Sequence, residues 1–135
     1  MDEGLITYIE LMKERMEYLK RFPNDAKLLF SIITSSLKEF NINGEVYFFG
    51  SMITGKFTVD SDIDVAILTK EKISRELERR IEHKIFDELD KLGFPFWYPI
   101  ELHFFSLFEF EALRRGGANF VKAEEYLKAK ELKLT

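Results

Sequence analysis

EVYFFGSMITGKFTVDSDIDVAIL, residues 45–68, sets two apolar runs around a glycine-serine pair and places Asp60, Asp62 and Asp64 at the mouth of the second run. Like charges crowded there repel, and carboxylates entering a buried strand are costly unless paired or bound to metal. EVYFFG (45–50) reads as a buried strand ending at glycine and SMITG (51–55) as one helical turn. KFTVDS is an exposed connection, and DIDVAIL (62–68) is a second strand. Alternate side chains of a strand share a face. Asp62 and Asp64 are therefore expected to point one way, and Ile63, Val65 and Ile67 the other way, into the core. Two such carboxylates, about 6–7 Å apart along a strand, can converge on hard divalent cations. Mg²⁺ takes one or two protein carboxylates and leaves its other positions to water and substrate phosphates.

Gly50 and Ser51 supply the complementary half of such a site. A strand that ends in glycine and enters a helical turn presents free backbone N–H groups, and glycine lets a phosphate approach closely. The Ser51 hydroxyl adds a donor. If the segment 51–61 folds back tightly, the two strands pair antiparallel and the phosphate cradle lies beside the carboxylates. Lys56, in that segment, is a candidate for the terminal phosphate, against the plainer reading of an exposed loop lysine. Asp60 reads as a solvated turn residue. Phosphate holder plus metal holder suits chemistry on a nucleoside triphosphate.

Outward from this stretch, Leu5, Ile9, Met12, Met16 and Leu19 mark an amphipathic helix over roughly 4–21. Phe22–Pro23 is expected to break it, with Asn24 capping a second helix that carries Leu29, Ile33, Leu37 and Phe40 and stops at NING (41–44). That predicts an N-terminal helical hairpin. Ile73, Leu77, Ile81, Ile85 and Leu89 form an i, i+4 ladder, so 73–91 is a helix. FWYPIELHFFS (96–106) is a third strand, FEFEALRR (108–115) a short helix and AEEYLKAKEL (123–132) a final one. The expected fold class is α+β: a small mixed or antiparallel sheet of about three strands flanked by helices. One domain spans 1–135, with a helical extension (1–43), a core (44–106) and C-terminal helices (107–135).

In the third strand, Glu101 sits among aromatic residues, as unexpected there as the aspartates, and would complete a two-metal site with Asp62 and Asp64. His103 shares its face and reads as a packing or supporting histidine rather than a ligand; His83 reads as solvated. Phe94, Phe96, Trp97 and Tyr98 read as core or interface packing, with base stacking as the alternative.

The 135 residues are 46% hydrophobic and 15% aromatic, enough for a real core, and the formal charge of −4 argues against a sequence-blind nucleic-acid clamp. With no cysteine, disulfides and thiolate zinc sites are excluded. There is no signal-peptide pattern and no apolar run of membrane-spanning length, so a cytoplasmic, membrane-free protein is expected. The absence of glutamine beside 33% charged residues leans towards a thermophilic source.

Gly50-Ser51, ten residues, Asp62-Ile63-Asp64 and then an acidic residue flanked by apolar ones in a later strand resemble the nucleotidyltransferase domain of the DNA polymerase beta superfamily. The match covers 44–106 closely, and the short chain resembles the minimal members. The resemblance implies that Gly50 and Ser51 hold the triphosphate, that Asp62 and Asp64 bind two Mg²⁺ ions (Mn²⁺ being the alternative), and that Glu101 is the third acidic residue. It implies transfer of a nucleoside monophosphate, AMP from ATP, to a hydroxyl with release of pyrophosphate. Where members carry arginines after the Gly-Ser pair, this chain has Met52 and Thr54, with Lys56 the basic residue nearby. Minimal members often act with a small helical HEPN-type partner as toxin–antitoxin pairs. The rival expectation is a binding module with weak or lost catalysis that neutralises or scaffolds its partner. A nucleic-acid acceptor is disfavoured by the acidic balance. The Leu5–Leu19 stripe reads as intramolecular packing, with a homo-oligomer or partner contact as the alternative.

Overall fold

A computed structural model describes residues 2–134, with the side chains of 133 and 134 left out. Among the described residues the elements are α1 (Glu3–Glu39), β1 (Gly44–Phe49), α2 (Ser51–Thr54), β2 (Ile63–Thr69), α3 (Arg75–Lys91), β3 (Ile100–Ser106), α4 (Leu107–Arg115), β4 (Val121–Lys122) and α5 (Ala123–Leu134). The sheet order is β3-β2-β1-β4. β1 pairs antiparallel with β2 and β4, whereas β2 and β3 run parallel, so the sheet is mixed. The α+β class and the antiparallel β1–β2 pair agree with the sequence reading. The sheet gains a fourth strand, β4, whose two residues are too short to show a period of two.

The expected helical hairpin is replaced by one 37-residue helix with Pro23 inside it. Proline lacks the N–H that would reach the Leu19 carbonyl and crowds that carbonyl, at a cost of about 3 kcal/mol in a helix interior. Burial on both sides of the proline outweighs this. Leu19 and Phe22 before it, and Ala26, Leu29 and Ile33 after it, all lie in the core. Splitting the helix at Pro23 would pull one of these groups off the sheet. Each buried leucine, isoleucine or phenylalanine side chain is worth roughly 1.5–3 kcal/mol.

The sheet's two faces differ in chemistry because its side chains alternate. Val46 and Phe48 of β1, Ile63, Val65 and Ile67 of β2 and Phe104 of β3 enter one core with α1 and with Ile81, Ile85 and Leu89 of α3. Tyr126 of α5 packs against Phe22 and Phe48. The opposite face carries Phe49, Asp64 and Glu101 in one row and Tyr47, Ala66 and His103 in the next. Towards β4, Phe110 of α4 and Phe120 cover Tyr47. Phe94 and Tyr98 are buried against Tyr18, while Phe96 is 93% exposed. Among the described residues no helix is long and apolar enough to cross a membrane.

If Pro23 sits inside a continuous helix, Pro23→Ala restores the bond to the Leu19 carbonyl. Unfolding stability is then expected to rise by about 1–3 kcal/mol, read as a higher urea midpoint with unchanged slope. Unchanged or lower stability would indicate two helices meeting at the proline.

Candidate active site

The β1–β2 register sets Phe49 opposite Asp64, so the residue after Phe49 meets the Asp64 side chain. That residue is Gly50, with φ 81° and ψ −160°, a region of backbone space open essentially to glycine alone. A Cβ there would collide with Oδ2 of Asp64. Ser51 then opens the short α2. Its N–H and that of Met52 precede the first donors of the turn, Ile53 and Thr54, which both bond the Gly50 carbonyl at 3.1 and 3.3 Å. Such leading N–H groups have no acceptor within a helix. The expected Gly50–Ser51 cradle therefore lies against Asp64. Lys56 follows the left-handed Gly55 and is exposed.

The parallel β2–β3 register puts Glu101 beside Asp64 and His103 beside Ala66. Ala66 is small enough for the rings of Phe49 and His103 to meet above it, their centroids 5.0 Å apart. His103 Nε2 lies 3.1 Å from Asp64 Oδ1 and 3.9 Å from Glu101 Oε1. One ligand atom from each of Asp64, Glu101 and His103 falls within 4.8 Å of the others. His103 is thus closer to the carboxylates than a packing residue need be.

Asp62 departs from its expected place. The strand begins at Ile63, so Asp62 belongs to the preceding loop. That loop is folded by a turn in which the Ser61 N–H donates to the Thr58 carbonyl at 3.0 Å and the Thr58 N–H to Ser61 Oγ at 2.9 Å. Asp60 sits exposed on the same turn. Asp62 still faces the site. The Glu101 carboxyl is raised above the usual range by burial, against a lowering pull from His103, and then by Asp62 and Asp64. The His103 imidazole is raised above its ordinary value, chiefly by its hydrogen bond to Asp64.

Arg15 of α1 is the site residue that the sequence reading did not find. Its Nη2 donates to Asp62 Oδ1 at 2.9 Å and to the Ser61 carbonyl at 2.7 Å, while Nε donates to the Val59 carbonyl at 2.7 Å. It lies 47 residues before Asp62, beyond the reach of any local motif. Met52 and Thr54 follow Ser51 where an arginine could stand, and the guanidinium beside Asp62 comes from α1.

The donor set fits hard divalent cations. Carboxylate oxygens predominate, and the glycine beside them leaves the space that a side chain would fill. The one imidazole nitrogen adds a ligand type more familiar to Mn²⁺ or other transition ions than to Mg²⁺.

A family model described as "Nucleotidyltransferase domain" matches residues 31–129. Among solved structures, that of "a putative nucleotidyltransferase from Sulfolobus solfataricus" is similar at 21% identity and a TM-score of 0.46, over 82% of this chain and 89% of that one. No curated protein matches significantly.

The Gly50 geometry makes a paired prediction. Gly50→Ala is expected to lose about 1–3 kcal/mol of unfolding stability and to abolish nucleotide binding, measured by urea titration and calorimetry. Gly55→Ala, at a left-handed position where an added Cβ meets nothing within 4 Å, is expected to cost about 1–2 kcal/mol and to leave nucleotide binding intact. Equal effects on binding would show that Gly50 matters only as a turn.

Proposed function

The chain belongs to the nucleotidyltransferase domain family, and we propose that it transfers AMP from ATP to a hydroxyl acceptor, with Asp62, Asp64 and Glu101 holding two Mg²⁺ ions. The observation that carries this reading is the convergence of Asp64, Glu101 and His103 within 4.8 Å of one another, against the glycine that opens α2. Carboxylates on neighbouring strands would repel without a cation between them. A solvated acidic patch has no need of a glycine-only turn at its edge.

In the proposed reaction the acceptor hydroxyl gives its proton to solvent, its oxygen forms a bond to the α-phosphorus, the bond from that phosphorus to the bridging β-phosphate oxygen breaks, and pyrophosphate leaves. The bound ions would lower the acceptor's pKa and neutralise the leaving pyrophosphate. The chain's own groups do the positioning. The Ser51 hydroxyl and the N–H groups that open α2 donate to phosphate oxygens, and Gly50 allows them close. His103 holds Asp64 through its 3.1 Å contact. Lys56, exposed on the loop beyond α2, is free to reach the terminal phosphate.

A hydroxyl on a partner protein is the acceptor this surface supports best. Leu5, Ile6, Tyr8 and Ile9 are exposed on the first turns of α1, from 38% to 57%. These same turns lead to Arg15 and so to the site. A small helical HEPN-type partner would cover that apolar stripe, with this chain as the antitoxin member of the pair; a second copy of the chain is the alternative cover. The contact-only reading, a module that binds its partner and transfers nothing, draws on the same stripe.

Incubation with α-labelled ATP separates these readings. Label is expected on a co-purifying protein in the presence of Mg²⁺ and not with EDTA. Asp64→Asn and Glu101→Gln are each expected to reduce labelling at least 100-fold while partner binding is unchanged. Partner binding without label in the wild type would establish the contact-only module.

A further inference from the structure

We propose that Arg15 is a positioning residue for the metal site: it fixes Asp62 and the loop before it in the arrangement that binds a divalent cation. The inference rests on the metal-site reading above and extends it to a residue outside the motif.

Asp62 is the weakly held member of the acidic set. Asp64 is anchored by strand pairing on both sides and Glu101 by pairing with β2, whereas Asp62 precedes the strand. The local turn at Thr58–Ser61 and the bond from the Ile63 N–H to the Pro99 carbonyl flank it without touching its carboxylate. Arg15 touches it directly. The guanidinium spends both Nη2 hydrogens, one on Asp62 Oδ1 and one on the Ser61 carbonyl, and the Nε hydrogen on the Val59 carbonyl.

Two backbone carbonyls and one carboxylate oxygen are thus read by adjacent donors of one planar group. A lysine ammonium cannot reproduce that pattern. The side chain is 19% exposed, against 44% for Asp62, so the guanidinium is the more sheltered of the two groups. Arg15 engages Oδ1 of the Asp62 carboxylate, and Asp62 also bears on the Glu101 carboxyl, which places it in the acidic cluster. Arg15 also supplies a positive charge to a cluster that otherwise carries three carboxylates. Outer partners that hold a ligand in this way typically change metal affinity 10- to 100-fold when removed.

The role differs from two others that the same contacts would allow. A fastener of the loop alone would affect folding and not metal affinity. A competitor for Asp62 would weaken metal binding while present, so its removal would tighten it. The measurement is Mn²⁺ affinity without nucleotide, read from the free-ion electron paramagnetic resonance signal of the full chain, alongside the thermal midpoint without metal.

Arg15→Ala is expected to weaken Mn²⁺ binding about 10- to 100-fold. Arg15→Lys is expected to recover part of the loss. In an Asp62→Asn background the Arg15→Ala change is expected to make little further difference, because its route to the metal is gone. Should Arg15→Ala fail to fold, Arg15→Lys carries the test, with severalfold weaker binding expected. Wild-type affinity in a folded Arg15 variant with a lowered thermal midpoint would overturn the proposal in favour of a loop fastener. Tighter binding would overturn it in favour of a competitor. A wild-type chain that takes up no Mn²⁺ would overturn the metal-site reading itself, and this inference with it.

Discussion

The contact between the Gly50 backbone and the Asp64 carboxylate is the constraint on which the site depends. It follows from the β1–β2 register, which ends one strand where the other begins. Any side chain at position 50 would occupy the space of Asp64 Oδ2. The glycine-only dihedrals there turn the chain straight into α2, so the N–H groups suited to phosphate and the oxygens suited to metal end within one triphosphate's reach. Next along β2, Ala66 does a related job. Its small side chain lets His103 and Phe49 close over the strand, which brings the imidazole to Asp64.

Charge balance shapes the rest. Three carboxylates meet here, and the basic groups beside Asp62 and Asp64 come from outside the Asp-x-Asp stretch. Arg15 comes from α1, and His103 from β3. The two groups differ in kind. Arginine is charged at any pH a protein meets and holds a loop residue through fixed geometry. Histidine is held by a strand and is adjustable in charge. This division leaves Glu101, the most exposed of the cluster-forming three, without a hydrogen-bonded cation of its own. Burial pushes its carboxyl above the usual range, against a lowering pull from His103, with Asp62 and Asp64 adding to the rise.

Much of this was legible in the sequence because it is local. The apolar runs 45–50 and 62–68 mark buried strands, and the i, i+4 ladder from Ile73 to Leu89 reflects burial of a single helix face. A connection from Ser51 to Ser61 that folds back tightly makes the pair antiparallel, as observed. What was not legible depends on distant parts of the chain. Pro23 obeys no local rule here, since burial of Leu19, Phe22 and Ala26 on the same sheet overrides the proline's cost. Asp62 and Asp64 looked equivalent by alternation, yet one is a loop residue held by a helix and the other is a strand residue held by its neighbours. The nearness of His103 to Asp64 requires the parallel register of β2 and β3, which is set through α3. Arg15 had no signal at all beyond its place on the flank of the Met12–Met16 stripe.

Paramagnetic broadening tests the central claim most directly. In ¹⁵N-labelled chain given substoichiometric Mn²⁺, the account predicts loss of amide signals centred on Gly50, Ser51, Asp62, Asp64, Glu101 and His103. Those signals should return when Mg²⁺ is added in excess. Broadening centred on another acidic surface, such as Glu14 and Glu17 of α1 or the first turn of α5, with the Gly50 and Asp64 amides untouched, would contradict it.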